Sequence, residues 1–308
     1  MADSLVVSSL PDYVQTNTDK LIAKTVLRGN SQKYMTIQTG VKGKSQLNLL
    51  DTDVKFQDGS ICGFTSQGTS TLSARNLVAG IIKVNMEFCE KSLVGKYAER
   101  MLSVAAGTER LPFEEEVIND IIANVNFELD KAIWQGDSDM TVSDSDFDQN
   151  LSYFDGLLTI LAASDGVITT SGTDAAPLTA VANVLKAMPN EAFAPDAIIY
   201  ASPEFVRSYV AGLVSANLFH YNPGNVDNGE ISIPGSAIKL VSIDGLTGTN
   251  KLVAGRKSNI FFGCDVEGDD SKFTFQRNIN TGMFQLEVCF SAATQVARPS
   301  EVVVCTLS

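Results

Sequence analysis

LPFEEEVINDIIANVNFELDKAIWQGD, residues Leu111 to Asp137, is the stretch on which the fold turns. Val117, Ile118, Ile121, Ile122, Val125, Leu129 and Ile133 recur at helical spacing and form a single apolar stripe. Both ends are punctuated. Pro112 suits a first helical turn, Glu114, Glu115 and Glu116 complement the positive end of the helix dipole, and Gly136 fits a C-terminal cap. The spacing predicts a helix over Leu111 to Gln135, and at 1.5 Å per residue such a rod is about 35 Å long, the width of a small domain. A helix of that length needs an equally long surface to lie on, which points to a structural protein.

Upstream of the helix the chain changes character. From Tyr34 to Lys91 it is rich in Gly, Thr, Ser and Gln, with short alternating stretches such as Gln46-Leu47-Asn48-Leu49. Ile82, Val84, Met86 and Phe88 alternate with Lys83, Asn85 and Glu87, the pattern of a strand with one dry and one wet face. Between these lies CGFTSQGTSTLSARNL, Cys62 to Leu77, with too few large apolar groups to make a core. The expected form is a long two-stranded arm that projects from the body and is stable only when it rests on something else. The first 30 residues have weak periodicity, with LIAKTVL the one short helical segment, and read as an extended arm.

Downstream, Ser92 to Met101 reads as a short helix, and DSDMTVSDSDFDQN after Gly136 as an acidic loop. Pro177 to Met188 is expected to be helical, ending at Pro189. Asp196 to Ala201 is expected to be a buried strand, and Ser202-Pro203 caps a helix through Phe205, Tyr209, Leu213 and Leu218. After a loop at Asn222 to Gly229 come strands at Ile238 to Ile243 and Ile260 to Gly263, joined by Gly-rich turns. A hairpin follows, Phe273 to Gln276 and Phe284 to Phe290 about a turn at Asn280-Thr281-Gly282, and a strand at Glu301 to Cys305 ends the chain. No internal repeat occurs, and no linker is long enough to separate independent domains.

With 308 residues, 44% of them hydrophobic and 19% charged, the chain can bury a large core. MADSLVVSSL has neither the basic start nor the apolar stretch of a signal peptide, and no apolar run is long enough to cross a bilayer, so no membrane is expected and a cytoplasmic site of synthesis is. A net charge of -13 argues against a protein that grips nucleic acid, which requires clustered Lys and Arg. Cys62, Cys89, Cys264, Cys289 and Cys305 show no CxxC spacing and read as plain thiols, without a Cys62–Cys89 disulfide.

The sequence carries little catalytic chemistry. His220 is the one histidine, at the end of an amphipathic helix where a cap or packed surface residue explains it. GxSxG, P-loop and GxGxxG patterns are missing. Asp144, Asp146, Asp148 and Asp155 partly imitate a calcium loop, but Gln149 stands where the turning glycine belongs, so a solvated acidic turn is the reading adopted. Asn150-Leu151-Ser152 matches a glycosylation sequon by chance. The expectation is no catalytic residue, no cofactor and no metal site.

Taken in order, the arm, the hairpin region, the long helix and the α/β block closing in a β-hairpin resemble the major capsid proteins of tailed bacteriophages, the Hong Kong 97-like fold of the α+β class. The resemblance spans nearly the whole chain. It implies an N-terminal arm at 1–35, an extended E-loop at 36–91, a P-domain part at 92–150 containing the spine helix 111–135, an A-domain at 151–265 and P-domain strands at 266–308. CGFTSQGTSTLSARNL with the following IIKVNMEFCEKSL looks like the E-loop tip and return strand of capsid proteins from phages of Bacteroidetes-type hosts. FELDKAIWQGD looks like the end of a spine helix, and DAIIYASPEFVRSYVAGLVSANLFHYN resembles the A-domain strand and helix leading to the loop near the capsomer axis.

The function implied is a shell subunit of a virion, made in the host bacterial cytoplasm. Its hexamers and pentamers tile an icosahedral head around double-stranded DNA bound without sequence specificity. Partners implied are a separate scaffolding protein, a portal and decoration proteins. Interface residues are then expected at the E-loop tip (Cys62, Gly63, Phe64, Gln67, Thr69) and in the capsomer-axis loop (Asn222, Pro223, Gly224, Asn225, Asp227). Some members of that family crosslink an E-loop lysine to a P-domain asparagine beside a glutamate. Lys42, Lys44, Lys55, Asn278, Asn280 and Glu287 are the residue types needed, but nothing in the sequence brings them together, and they are read as solvated side chains. Two other readings are an encapsulin-like compartment of the same fold and a soluble metal-dependent α/β enzyme built on the acidic loop.

Overall fold

Two mixed β-sheets share one long helix. The computed structural model describes residues 21, 25, 29–59, 62–64, 66–89, 113–144, 147–216, 230–265, 272–278, 280–281 and 283–308. The strands are β1 (Thr36–Thr39), β2 (Lys44–Asp53), β3 (Thr69–Val78), β4 (Gly80–Cys89), β5 (Ile168–Gly172), β6 (Ala197–Ala201), β7 (Glu230–Ser232), β8 (Lys239–Ser242), β9 (Lys251–Arg256), β10 (Ile260–Asp265), β11 (Lys272–Asn278), β12 (Met283–Val296) and β13 (Val303–Leu307). The helices are α1 (Phe113–Gln135), α2 (Leu157–Ala163), α3 (Pro177–Ala187) and α4 (Pro203–Ser215). A six-stranded sheet runs β5-β13-β9-β6-β8-β7, a five-stranded sheet runs β1-β10-β12-β11 with β4 also on β12, and β2 and β3 pair alone.

The strict alternation of strand residues divides the six-stranded sheet into two dry faces. Ile198 and Tyr200 of β6 and Val253 of β9 join the core beneath α1, whereas Ala197, Ile199, Ala201, Leu252 and Ala254 pack with Val181 and Val184 of α3 and Phe205 and Tyr209 of α4. On the α1 side the stripe residues Ile118, Ile121, Ile122, Leu129 and Ile133 meet Phe262, Phe273, Phe275, Phe284, Leu286 and Phe290 of the five-stranded sheet. The helix is the common wall of both sheets, which explains why its apolar stripe is so complete. Trp134 sits on Tyr200 of the other sheet with ring centroids 5.1 Å apart, an arrangement aromatic pairs favour.

Several expectations need correction. Gly136 is not a left-handed cap, since its φ is not positive. It is needed because a Cβ there would run into the Phe154 carbonyl oxygen and the carbonyl of Ala132. Ile82 to Phe88 lies in β4, but β4 is not the return strand of the arm: it pairs antiparallel with β12, Val84 opposite Val288 and Phe88 opposite Phe284. The dry face of such a strand needs a core, and β12 supplies one. The arm is β2 with β3, so Thr69 to Val78, expected in the polar tip, is its second strand. KLVAGR, expected in a turn, forms β9 between β6 and β13 in the six-stranded sheet, and β13 pairs with β5 and β9 instead of joining the C-terminal hairpin. The start of the helix at Leu111-Pro112, the short helix Ser92 to Met101 and the first 20 residues lie outside the described residues.

A carboxylate lies inside the shared core. Asp130 on α1 is 2% exposed, its Oδ1 accepting from the Ser31 backbone N–H at 2.8 Å and its Oδ2 from the Gly245 N–H at 2.9 Å. Trp134 Nε1 donates to Ser31 Oγ at 2.7 Å. Burial pushes the Asp130 carboxyl up from the ordinary range, and the donors from Ser31 and Gly245 only partly offset it. A raised folded pKa favours the fold in acid, a contribution lost as pH rises through that pKa. One side chain thus ties an N-terminal segment and the turn after β8 to the long helix. Asp130→Ala would leave two buried amides without an acceptor and is expected to lower unfolding free energy by roughly 2–4 kcal/mol. Thermal melts of the purified variant check this, and a melt unchanged from the parent would show that water replaces the carboxylate.

Candidate assembly surface

The β2–β3 hairpin is in register from Lys44 opposite Val78 to Asp53 opposite Thr69. Its root is closed by the Ala79 N–H donating to the Gly43 carbonyl at 2.6 Å. Val41, Leu77 and Ala293 form a small buried cluster under that point. The inward face carries Leu47, Leu49, Asp51 and Arg75 toward the body. The outward face carries Lys44, Gln46, Asn48, Leu50 and Thr52, with Val78, Asn76, Ala74, Leu72 and Ser70 opposite them, so its one charged side chain is Lys44 at the root. Leu50 and Leu72 are directly opposed and 60% and 74% exposed.

Beyond Asp53 the chain leaves the ladder. Phe56 is 99% exposed and Phe64 96%, with Val54 also open to solvent. Leaving a phenylalanine in water forgoes about 2–3 kcal/mol of burial, so two of them at the end of one arm make it a candidate contact surface. The expected tip residues Cys62, Gly63, Phe64, Gln67 and Thr69 are all exposed at this end. Phe56, Leu50 and Leu72 are exposed on the same arm and were not among the residues the sequence singled out. Their one sequence signal is large apolar residues scattered singly through a polar stretch.

The other expected residues are dispersed. Asn222, Pro223, Gly224, Asn225 and Asp227 lie outside the described residues, as does His220. Lys42 and Lys44 flank the root of the arm and Lys55 its tip, while Asn278 ends β11 and Asn280 stands in the following turn. Glu287 is paired within the subunit, its carboxylate 2.8 Å from Lys83 Nζ, which holds the carboxyl below its usual range and raises the ammonium. The acidic loop is spent on local hydrogen bonds. Asp144 accepts from the Thr141 N–H, Asp148 pairs with Lys131 at 2.8 Å, and Asp155 accepts from Ser138; Asp146 lies outside the described residues. Among the described residues no three His, Cys, Asp or Glu side chains converge on a metal-sized space. Cys62 and Cys89 are both exposed and are not joined in a disulfide. No described helix is long and apolar enough to cross a membrane.

No protein-family model matches the chain, and no curated protein matches it. Solved structures do. A chain of the satellite phage P4 procapsid, in a structure that includes the size determination protein, aligns with a TM-score of 0.62 at 9% identity, over 100% of this chain and 93% of that one. The capsid of Myoviridae phage XM1 aligns with a TM-score of 0.54 at 10% identity, over 91% of this chain and 92% of that one. A virus-like particle from Pyrococcus furiosus aligns with a TM-score of 0.52 at 8% identity, over 93% and 96%. These matches give no support to the expected link with phages of Bacteroidetes-type hosts. These structures align over 91% to 100% of this chain, and the protein has the Hong Kong 97-like capsid fold.

Proposed function

We propose that this chain is the major capsid protein of a tailed-phage head, a non-enzymatic subunit that assembles through repeated contacts into pentamers and hexamers around double-stranded DNA. The observation that carries this reading is a full-length capsid fold bearing an arm whose outer face and tip bury nothing in their own subunit. Closed rings of identical subunits offer every such arm the same neighbour. Beyond Lys44 at its root the outer face of the arm carries no charge, which suits a chain of net charge -13, because like-charged copies approach most cheaply where neither presents charge. The same acidity suits an inner wall that packaged DNA must slide past, since it offers phosphates few cations.

In this reading residues 1–35 are the N-terminal arm, 36–91 hold the E-loop, and α1 is the spine. The six-stranded sheet with α3 and α4 is the A-domain, and β13 belongs to it. The five-stranded sheet, with β4 and β10, is the P-domain. Residues 222–227 are assigned to contacts between subunits near the capsomer axis, and a separate scaffolding protein, a portal and decoration proteins complete the virion. A second reading, an encapsulin-like compartment holding protein cargo, is favoured by the likeness to the Pyrococcus furiosus virus-like particle.

Electron microscopy of the full chain, alone and co-expressed with its neighbouring genes, tests both readings. Closed polyhedral particles or five- and six-membered rings are expected. Nuclease-protected DNA in particles from the native source assigns the phage head, and protein cargo assigns the compartment. Small particles in every preparation would overturn both. Chelator is expected to leave assembled particles intact, because the acidic side chains described are already occupied by protein donors.

A further inference from the structure

Along its length the arm meets the body at points that differ in kind. At the root, Leu77 packs into the space a side chain on Gly263 would fill, a fixed apolar pivot. One residue pair farther out, Gln295 Nε2 donates to the Asn76 carbonyl at 2.6 Å, and one more pair out Arg75 Nη2 donates to Ser164 Oγ at 2.9 Å. Near the end of the ladder stands Arg298. Its Nη2 donates to Asp51 Oδ1 at 2.8 Å and to the Leu50 carbonyl at 3.3 Å, while Nη1 reaches Glu301 at 3.4 Å.

Arg298 is well placed to hold an angle. Its backbone is gripped on both sides by the buried Asn259, whose Oδ1 accepts from the Arg298 N–H at 2.7 Å and whose Nδ2 donates to the Arg298 carbonyl at 2.8 Å. The guanidinium therefore extends from a fixed point and touches the arm six residues from the pivot pair, about 20 Å along the strand. A contact this far out has a long lever over the direction of the tip. Both partners are open to solvent, with side chains 42% and 60% exposed, so salt competes with the pair and it can release.

We propose that Arg298 is a positioning residue for assembly: its ion pair with Asp51 fixes the elevation of the arm over the body, and so where the tip meets the next subunit. This inference rests on the shell reading for its consequence, but the latch itself belongs to the single subunit. Its release frees the outer half of the arm to swing about Leu77 while the sheets stay intact.

The test is a spin-label distance measurement on the full chain, kept dilute and unassembled, with labels on Cys62 at the tip and on an Asp174→Cys body site. Cys89 and Cys289 are replaced by serine. The parent is expected to give one narrow distance population. Arg298→Ala and Asp51→Asn should each broaden it about twofold at unchanged melting temperature, and the parent should broaden likewise at about 1 M salt, where screening acts within about 3 Å. The swapped pair Arg298→Asp with Asp51→Arg should narrow it again. If Arg298→Ala does not fold, Asp51→Asn decides, because it keeps the side-chain size and removes only the charge. Equal widths in the parent and Asp51→Asn overturn the latch. Particle diameters are scored separately: a responsive distance without any shells defeats the shell reading alone, and normal shells with an unresponsive distance defeat the latch alone.

Discussion

Ile122→Asp is expected to yield no soluble, cooperatively melting subunit. Ile122 lies in the α1 stripe within the core that both sheets share, together with Ile118, Ile121, Leu129 and Ile133. Truncating such a side chain costs about 2–5 kcal/mol through lost burial and cavity. A carboxylate adds the penalty of an unpaired charge, for which the apolar neighbours offer no donor. Together these reach the 5–15 kcal/mol that holds a typical domain folded. Asn124→Asp, on the exposed side of the same helix, is the matched control and should melt within about 1 kcal/mol of the parent. Soluble yield and circular-dichroism melts compare the two. A cooperatively melting Ile122→Asp protein would mean that the stripe faces solvent and that the two-sheet core is wrongly drawn.

Removing the tip should have the opposite profile, with folding kept and assembly lost. Asp53 and Thr69 are the last residues in register, so residues 54–68 can be replaced by a two-residue Asn-Gly turn that matches the twist of the ladder. The excised segment includes Phe56 and Phe64, and neither is covered by its own subunit, so the melting temperature should change by no more than a few degrees. What is lost is about 4–6 kcal/mol of burial at every contact with a neighbour, enough to abolish shells that close by repeating that contact. Sizing chromatography and microscopy should find folded subunits or small rings and no closed particles. Shells of parental diameter from this variant would remove the tip from the assembly mechanism.

The sequence was most legible where one residue's environment is set by its nearest neighbours along the chain. The α1 stripe, the buried run of β6 and the alternating strands of β12 are visible because each element turns a single face, or both faces, to a core. Ser202 is legible as a helix cap for the same local reason, its side chain accepting from the Phe205 N–H. Pairing was not legible. Nothing in Ile82 to Phe88 says that its partner is Phe284 to Phe290, two hundred residues on, and the polar stretch nearer at hand was the natural alternative. β3 escaped notice because a strand standing in solvent has no dry face to impose alternation. β9 escaped because a six-residue strand ending in Gly-Arg between turns looks like part of them. Asp130 left no trace, since a single acid among helix residues gives no sign that two distant amides converge on it. Of the proposed assembly surface, Phe64 was singled out through the resemblance of its surrounding string, whereas Phe56, Leu50 and Leu72 needed the structure to show their exposure.

On the proposed shell function, the closed root of the arm also bears on how such shells diversify. Because Gly43 and Ala79 are joined by a hydrogen bond and the flanking strands β1 and β4 both belong to the five-stranded sheet, the entire hairpin is an insertion within one sheet. Residues can be gained or lost there without disturbing any strand of the body. The alternation of faces restricts the step, however: one residue added to each strand turns the tip over, and two restore it. Lineages that keep the same face toward the neighbour can therefore change reach only in increments of four residues, about 7 Å each. Subunit spacing in such shells would evolve in discrete jumps, and peptides grafted for display at this site would tolerate the same ruler.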